Sequence, residues 1–211
     1  MRIDVSRWKR RDHFELFRRY KQPFFSVCVD VDVTPLWNAC RPPRRPSFFL
    51  ASLYLMLKAA NETEAFRLRL RKRGVWLHDR VAVGPTIARD DETFGFARLE
   101  LTENLSQFAA NGEAAIARIR RETRLAGGQG KDDAIVFHST LPWFRFTSFT
   151  NALPGGDDSI PRVVFGRCTS DDKSVKMPVA IEVHHALVDG VDVAKFLERF
   201  QASLAAFDAK G

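Results

Sequence analysis

Residues Phe48 to Ala60 read as a helix that is apolar on nearly every side, and such an element is stable only when other structure covers it all round. Its longest apolar run, Phe48 to Leu57, is interrupted by Ser52 and ends at Lys58, far short of the roughly 20 residues a bilayer requires. The helix must therefore lie deep in protein, with further layers packed around it. A chain of 211 residues, 45% hydrophobic and 28% charged, can supply them. A chain of this size buries roughly 70% of the surface it would expose unfolded, so no metal or disulfide staple is needed to explain folding. Eighteen phenylalanines point to an aromatic-rich core or pocket.

The elements around that helix alternate in kind. His13 to Tyr20 has the spacing of a short amphipathic helix, stopped by Pro23 before the alternating strand Phe24 to Val33. Arg41 to Pro46 is a proline-punctuated loop, after which Ser47 is placed to cap the buried helix. Arg67 to Arg71 alternates with period two and pairs with Val75 to Leu77 across Lys72-Arg73-Gly74, a hairpin with its arginines on one face. Glu92 to Ala97 reads as a strand. Thr102 to Arg124 reads as a helix interrupted near Asn111-Gly112.

Gly127 to Lys131 is a loop. It does not fit a phosphate-binding loop, because Asp132 follows Lys131 where Ser or Thr is needed and no strand precedes it. Strand-like runs at Ala134 to Ser139 and Arg162 to Arg167 flank the Pro154 to Ser159 loop. Met177 to Val183 is a strand, and from Asp192 onward Val193, Phe196, Leu197, Phe200 and Leu204 recur at helical spacing. With no repeat and no break in composition, residues 1–211 form one domain of mixed α/β type.

The balance of 33 Lys+Arg against 26 Asp+Glu leaves +7, which favours a polyanionic partner without choosing among nucleic acid, an anionic surface or a phosphorylated small molecule. Cys28, Cys40 and Cys168 are odd in number and far apart, which argues for a reducing compartment and against a disulfide framework. Residues 1–21 are charged and lack the apolar stretch of a secretory signal, so a cytoplasmic protein is expected. Metal binding is not expected, since His13, His78 and His138 show no ligand spacing. Nucleic-acid binding would rest only on the basic N-terminus and Arg67 to Arg73, with no recognition motif behind it.

Between the last strand and the last helix lies His184-His185-Ala186-Leu187-Val188-Asp189-Gly190. A histidine at a strand end puts an imidazole at the lip of a sheet, and imidazole titrates near neutral pH, as a general base must. His185 shares strand parity with Val183 and Ile181, which directs its ring to the interior side and His184 the other way. The bland alternative is a pair of turn histidines followed by an aspartate that caps the next helix.

That heptapeptide resembles the His-His-x-x-x-Asp-Gly mark of the chloramphenicol acetyltransferase family, within the coenzyme-A-dependent acyltransferases. The resemblance extends through Met177 to Ile181, Ser139-Thr140-Leu141-Pro142-Trp143 with Phe146 to Phe149 beyond, Trp8 to Glu15, and Glu92-Thr93-Phe94, covering nearly the whole chain. It implies an α/β two-layer sandwich, a mixed β-sheet with helices packed on one face, assembled as a homotrimer with active sites between subunits. The cosubstrate would be acetyl-CoA, with part of the positive charge steering it.

The resemblance also assigns roles. His185 would be the general base that takes the proton of an acceptor hydroxyl, and Ser139 the donor to the tetrahedral oxyanion. Asp189 would pair with Arg10 to fix the loop that carries His185. Leu16, Phe17, Phe94, Phe137, Phe149 and Val164 would line the acceptor pocket. Val164 stands where the family usually has a threonine, and Asn151 where an apolar residue is common. These departures keep open a different acceptor, hydroxylated or amino, or a catalytically silent homologue.

Overall fold

The computed structural model describes residues 1–41, 46–72, 74–125 and 132–207. In chain order these form β1 (Arg2–Ile3), α1 (Arg11–Phe17), β2 (Phe24–Asp32), α2 (Thr34–Ala39), α3 (Phe48–Glu62), β3 (Leu68–Arg71) and β4 (Gly74–Leu77). They continue with β5 (Ala82–Ala88), β6 (Phe94–Phe96), α4 (Leu105–Arg121), β7 (Ile135–Leu141), β8 (Arg162–Gly166), β9 (Thr169–Ser170), β10 (Val175–His184) and α5 (Gly190–Ala205).

The larger sheet runs β2-β10-β8-β7-β5-β6, with the two residues of β9 paired to the start of β10. β10 is apolar from Met177 to Ile181, and all its residues but Lys176 are buried, with partners on both edges. It is antiparallel to β2, from Lys176 opposite Asp32 to His184 opposite Phe24, and antiparallel to β8. The β5, β7 and β8 strands are mutually parallel, which makes the sheet mixed. The long α3, α4 and α5 helices cover one face, where Val163, Phe165, Val179, Ile181 and Val183 join Leu53, Met56, Phe196 and Phe200 in one core. The opposite parity carries Cys28, Ala180, Val164 and Ser139 in one register row.

The α3 helix has the depth its composition demands. Leu50, Leu53, Met56 and Leu57 are each essentially without solvent contact, and the Ser47 hydroxyl accepts from the Leu50 N–H at 3.4 Å as the N-cap. Burying each such side chain contributes roughly 1.5–3 kcal/mol before the cost of ordering the chain. The predicted hairpin forms as β3 and β4, and β1 joins β4 to make a three-stranded sheet.

One expectation needs correction, and the structure adds two features to the sequence reading. The break at Asn111-Gly112 is absent, and α4 is continuous. A Cβ on Gly112 would stand 2.4 Å from Leu50 Cδ2, so this glycine serves the contact between α4 and α3 rather than ending a helix. The arginine face of the hairpin does not all point to solvent. Arg69 is fully buried and donates to the carbonyls of Phe66, Leu68, Asp133 and Ile135, which removes it from any phosphate-binding surface. Finally, β5 and α2 were not foreseen, because Gly84-Pro85 and Pro35 break the patterns that mark strands and helices. Residues 127–131 of the glycine-rich loop and 42–45 of the proline loop lie outside the described residues.

Candidate active site

The strand β10 ends at His184, where the backbone turns. Leu187 and Val188 N–H both donate to the His184 carbonyl, at 2.9 and 3.1 Å. Asp189 then occupies the N-cap of α5, and the Asp192 carboxylate accepts from its N–H at 3.0 Å. A tight turn between a central strand and a capped helix gives His185 a fixed backbone.

Its ring is fixed as well. It stacks on Phe17 at a centroid distance of 3.9 Å and lies against Phe25 at 4.7 Å. His185 Nδ1 is 3.2 Å from the Val188 carbonyl and 3.1 Å from Asp189 Oδ1. Both neighbours are acceptors, so Nδ1 carries the proton of the neutral ring and Nε2 keeps its lone pair. A ring held in this tautomer can accept a proton at Nε2 without first rearranging.

Arg10 ties the start of the chain to this turn. Its guanidinium donates to Asp189 Oδ2 and, at 3.1 Å, to the carbonyl of His185. Burial pushes the Asp189 carboxyl up, but the hydrogen bond and charge of Arg10, with His185 and His13, outweigh it and hold the group below the usual range. Arg10 and Asp189 therefore hold His185 through its backbone and its Nδ1.

His184 lies on the other face, as its parity requires, and is the more buried of the two. Its Nδ1 accepts from the Ala186 N–H at 3.2 Å, and burial lowers its pKa to about 4, so it is neutral near pH 7. It lines a cavity of about 540 Å³ with Phe24, Asn151 and Glu182. Asn151 Nδ2 donates to Glu182 Oε2 at 2.9 Å, which makes that wall polar.

Ser139 stands elsewhere on the sheet. It is half buried on β7, and its Oγ accepts from Thr86 Oγ1 at 3.2 Å. In register it faces Val164, which faces Ala180, five residues before His185. Two strand spacings and five residues of rise put Ser139 about 19 Å from His185 within one chain. Arg10, Asp189, His185 and Phe17 are thus brought together, and Ser139 is not brought to them.

The remaining pocket candidates divide similarly. Phe137 is half buried with the Arg162 guanidinium 5.6 Å from its ring centroid. Phe94 packs edge-on to Phe96 at 5.4 Å, and Phe149 lies 5.6 Å from Phe146. Leu16 and Phe94 are exposed, at 53% and 46%. Val164 is 1% exposed, so within the chain it packs between Ser139 and Ala180 instead of forming an open pocket wall.

Two contacts were missed in the sequence. Thr86 was hidden by Gly84-Pro85, and Phe25 carried no signal that it touches His185 beyond its place at the edge of a strand. Among the described residues no cluster of three His, Cys, Asp or Glu could hold a metal, and no helix is long and apolar enough to cross a membrane. The three cysteines are free, and burial raises the Cys168 pKa to about 11, which makes it a poor nucleophile.

Known proteins are similar to this chain over most of its length. The family model described as chloramphenicol acetyltransferase matches residues 1–201. Chloramphenicol acetyltransferase 2 of Escherichia coli is 30% identical over 202 residues, covering 95% of this chain and 94% of that one. The chloramphenicol acetyltransferase of Streptomyces acrimycini is 31% identical over 210 residues, with 96% and 93% covered. A solved chloramphenicol acetyltransferase superposes with a TM-score of 0.88 at 24% identity, covering 97% of this chain and all of that one. The catalytic core of the 2-oxoacid dehydrogenase complex from Thermoplasma acidophilum shares the fold at a TM-score of 0.70 and 15% identity.

Proposed function

The chain belongs to the chloramphenicol acetyltransferase family and is an acyltransferase, and from that premise we propose that it moves the acetyl group of acetyl-CoA to a hydroxyl of a small acceptor such as chloramphenicol, with His185 as base. The observation that carries the assignment is the pair of acceptors, Val188 O and Asp189 Oδ1, at His185 Nδ1. With Nδ1–H engaged by Val188 and Asp189, the Nε2 lone pair is free to take a proton.

The steps balance without a covalent enzyme intermediate. Nε2 accepts the proton of the acceptor hydroxyl as its oxygen bonds to the thioester carbonyl carbon. The Ser139 hydroxyl donates to the oxyanion so formed. Collapse breaks the carbon–sulfur bond, and the coenzyme A thiolate takes the proton back from Nε2. Arg10 and Asp189 hold the base in place and touch neither substrate.

A separation of about 19 Å between Ser139 and His185 cannot serve one tetrahedral centre. Pairing the base of one copy with the serine of another removes the difficulty, and β2 supports such an assembly. It is an edge strand of nine residues whose outer side has no strand partner among the described residues, the kind of edge that natural proteins cover. A homotrimer of about 72 kDa, three copies of 24.0 kDa, is the proposed form. Three free thiols support a reducing, cytoplasmic location.

Free-thiol release from acetyl-CoA, with and without chloramphenicol, tests the function. Release that requires both the acceptor and His185 is the expected result, and release unchanged by His185→Ala would overturn it. A second acceptor class, another alcohol or an amine, is favoured by Asn151, a polar residue where the family commonly has an apolar one. Acetylation of such a compound with none of chloramphenicol would establish that alternative.

A further inference from the structure

A serine hydroxyl has one proton and two lone pairs, and it serves an oxyanion only if that proton is not spent on a protein acceptor. Ser139 is held in the required state from one side. Thr86 Oγ1 donates to its Oγ at 3.2 Å, and among the described residues no acceptor takes the Ser139 proton. From the other side the residue in register is Val164, which has only methyl groups to offer.

We propose that Thr86 is a positioning residue for acetyl transfer: its hydroxyl occupies a lone pair of Ser139 and leaves the Ser139 proton free for the oxyanion. The inference rests on Ser139 as oxyanion donor. A hydrogen bond accepted by an oxygen also polarises its own O–H, so the Ser139 proton becomes a better donor when Thr86 is present.

The local sequence is built to hold Thr86 there. β5 and β7 are parallel, with Gly84 opposite Phe137 and Pro85 opposite His138, which brings Thr86 level with Ser139. A Cβ on Gly84 would lie 2.6 Å from Ile135 Cδ1, so the Ile135 side chain occupies the space that glycine leaves. Thr86 is β-branched, which restricts its χ1, and its other strand neighbour is Phe96. The hydroxyl therefore has a fixed direction and an aromatic neighbour on its far side.

The test is steady-state thiol release by the full-length protein for Thr86→Val, Thr86→Ser, Ser139→Ala and the Thr86→Val/Ser139→Ala pair, with thermal unfolding of each to confirm folding. Thr86→Val should lower kcat about tenfold with KM for the acceptor changed less than twofold, a fraction of the hundredfold or greater loss typical of removing an oxyanion donor outright. Thr86→Ser should keep at least half of kcat, and the double variant should be no slower than Ser139→Ala.

A Thr86→Val kcat within twofold of the parent, alongside a large loss in Ser139→Ala, overturns the role of Thr86 and leaves that of Ser139 standing. Losses that multiply in the double variant also overturn it, since Thr86 would then act on something other than Ser139. If Ser139→Ala keeps full kcat while His185→Ala abolishes it, or if no variant and no parent releases thiol above the His185→Ala level, the assignment of Ser139 and this inference fall together.

Discussion

Replacing Asp189 by Asn removes one charge while keeping the size of the side chain and its suitability as an N-cap. What remains is the Arg10 guanidinium, whose side chain is only 12% exposed, facing only neutral acceptors, the amide oxygen and the His185 carbonyl, with Nε already without a partner. Breaking a fully buried pair costs about 3–5 kcal/mol, and an exposed one about 0–1. Because the Asp189 side chain is 27% exposed, an intermediate loss of about 2 kcal/mol is expected. For a chain of this length that is a fall in Tm of about 4–8 °C.

Urea unfolding at one fixed protein concentration measures the loss directly. Arg10→Gln and the double variant complete a cycle whose coupling should also be near 2 kcal/mol. Thiol release should fall in parallel, since the same guanidinium holds the His185 carbonyl at 3.1 Å. A stability change under about 0.5 kcal/mol in Asp189→Asn, or additive single losses, would show that solvent already screens the pair.

Further tests reach other parts of the molecule. Refolding equal amounts of His185→Ala and Ser139→Ala chains together should restore about a quarter of the parent thiol release, because random assembly gives one site in four both an intact base and an intact serine; no recovery would refute the shared site. Burial holds His138 at about 3 and His184 at about 4, whereas both titrate near 6.5 in the unfolded chain, so their stabilising effect is complete above pH 6.5 and lost as pH falls toward 4. The slope should be about 1.4 kcal/mol per pH unit for each, and His138→Leu should halve their joint effect in urea titrations between pH 6.5 and 4.5. Arg69→Met takes a donor from four carbonyls, of which Asp133 keeps the Ile135 N–H, and should cost about 3 kcal/mol or more by urea unfolding; a loss under 1 kcal/mol would mean that the remaining carbonyls find other donors.

What the sequence reveals follows how local the signal is. The apolar girth of α3, the alternation of β10 and the spacing of Val193, Phe196, Phe200 and Leu204 on α5 are each set by neighbours within a few residues, and all three elements form where expected. β5 escaped notice because Gly84 and Pro85 interrupt its alternation, while the strand is set by pairing with β7, a partner some 50 positions away. Gly112 looked like a helix stop for the same reason, its cause being Leu50 on another helix. At the site, the link from Arg10 to Asp189 was legible through family likeness and forms as expected. The distance of Ser139 from His185 was not, because it depends on the order of strands in the sheet.

That strand order also governs the life of the chain while it is being made. β2 emerges early, yet β10, its only strand partner among the described residues, follows about 150 positions later. At 5–20 residues per second the wait is roughly 8–30 seconds. Throughout it Phe24, Phe25, Val27, Val29 and Val31 stand in a strand with both edges open, guarded only by Pro23 before it and by Asp30 and Asp32 within it. A ribosome that stalls before Val175 would therefore release an aggregation template, and the yield of folded enzyme rests on how reliably the last strand follows the first.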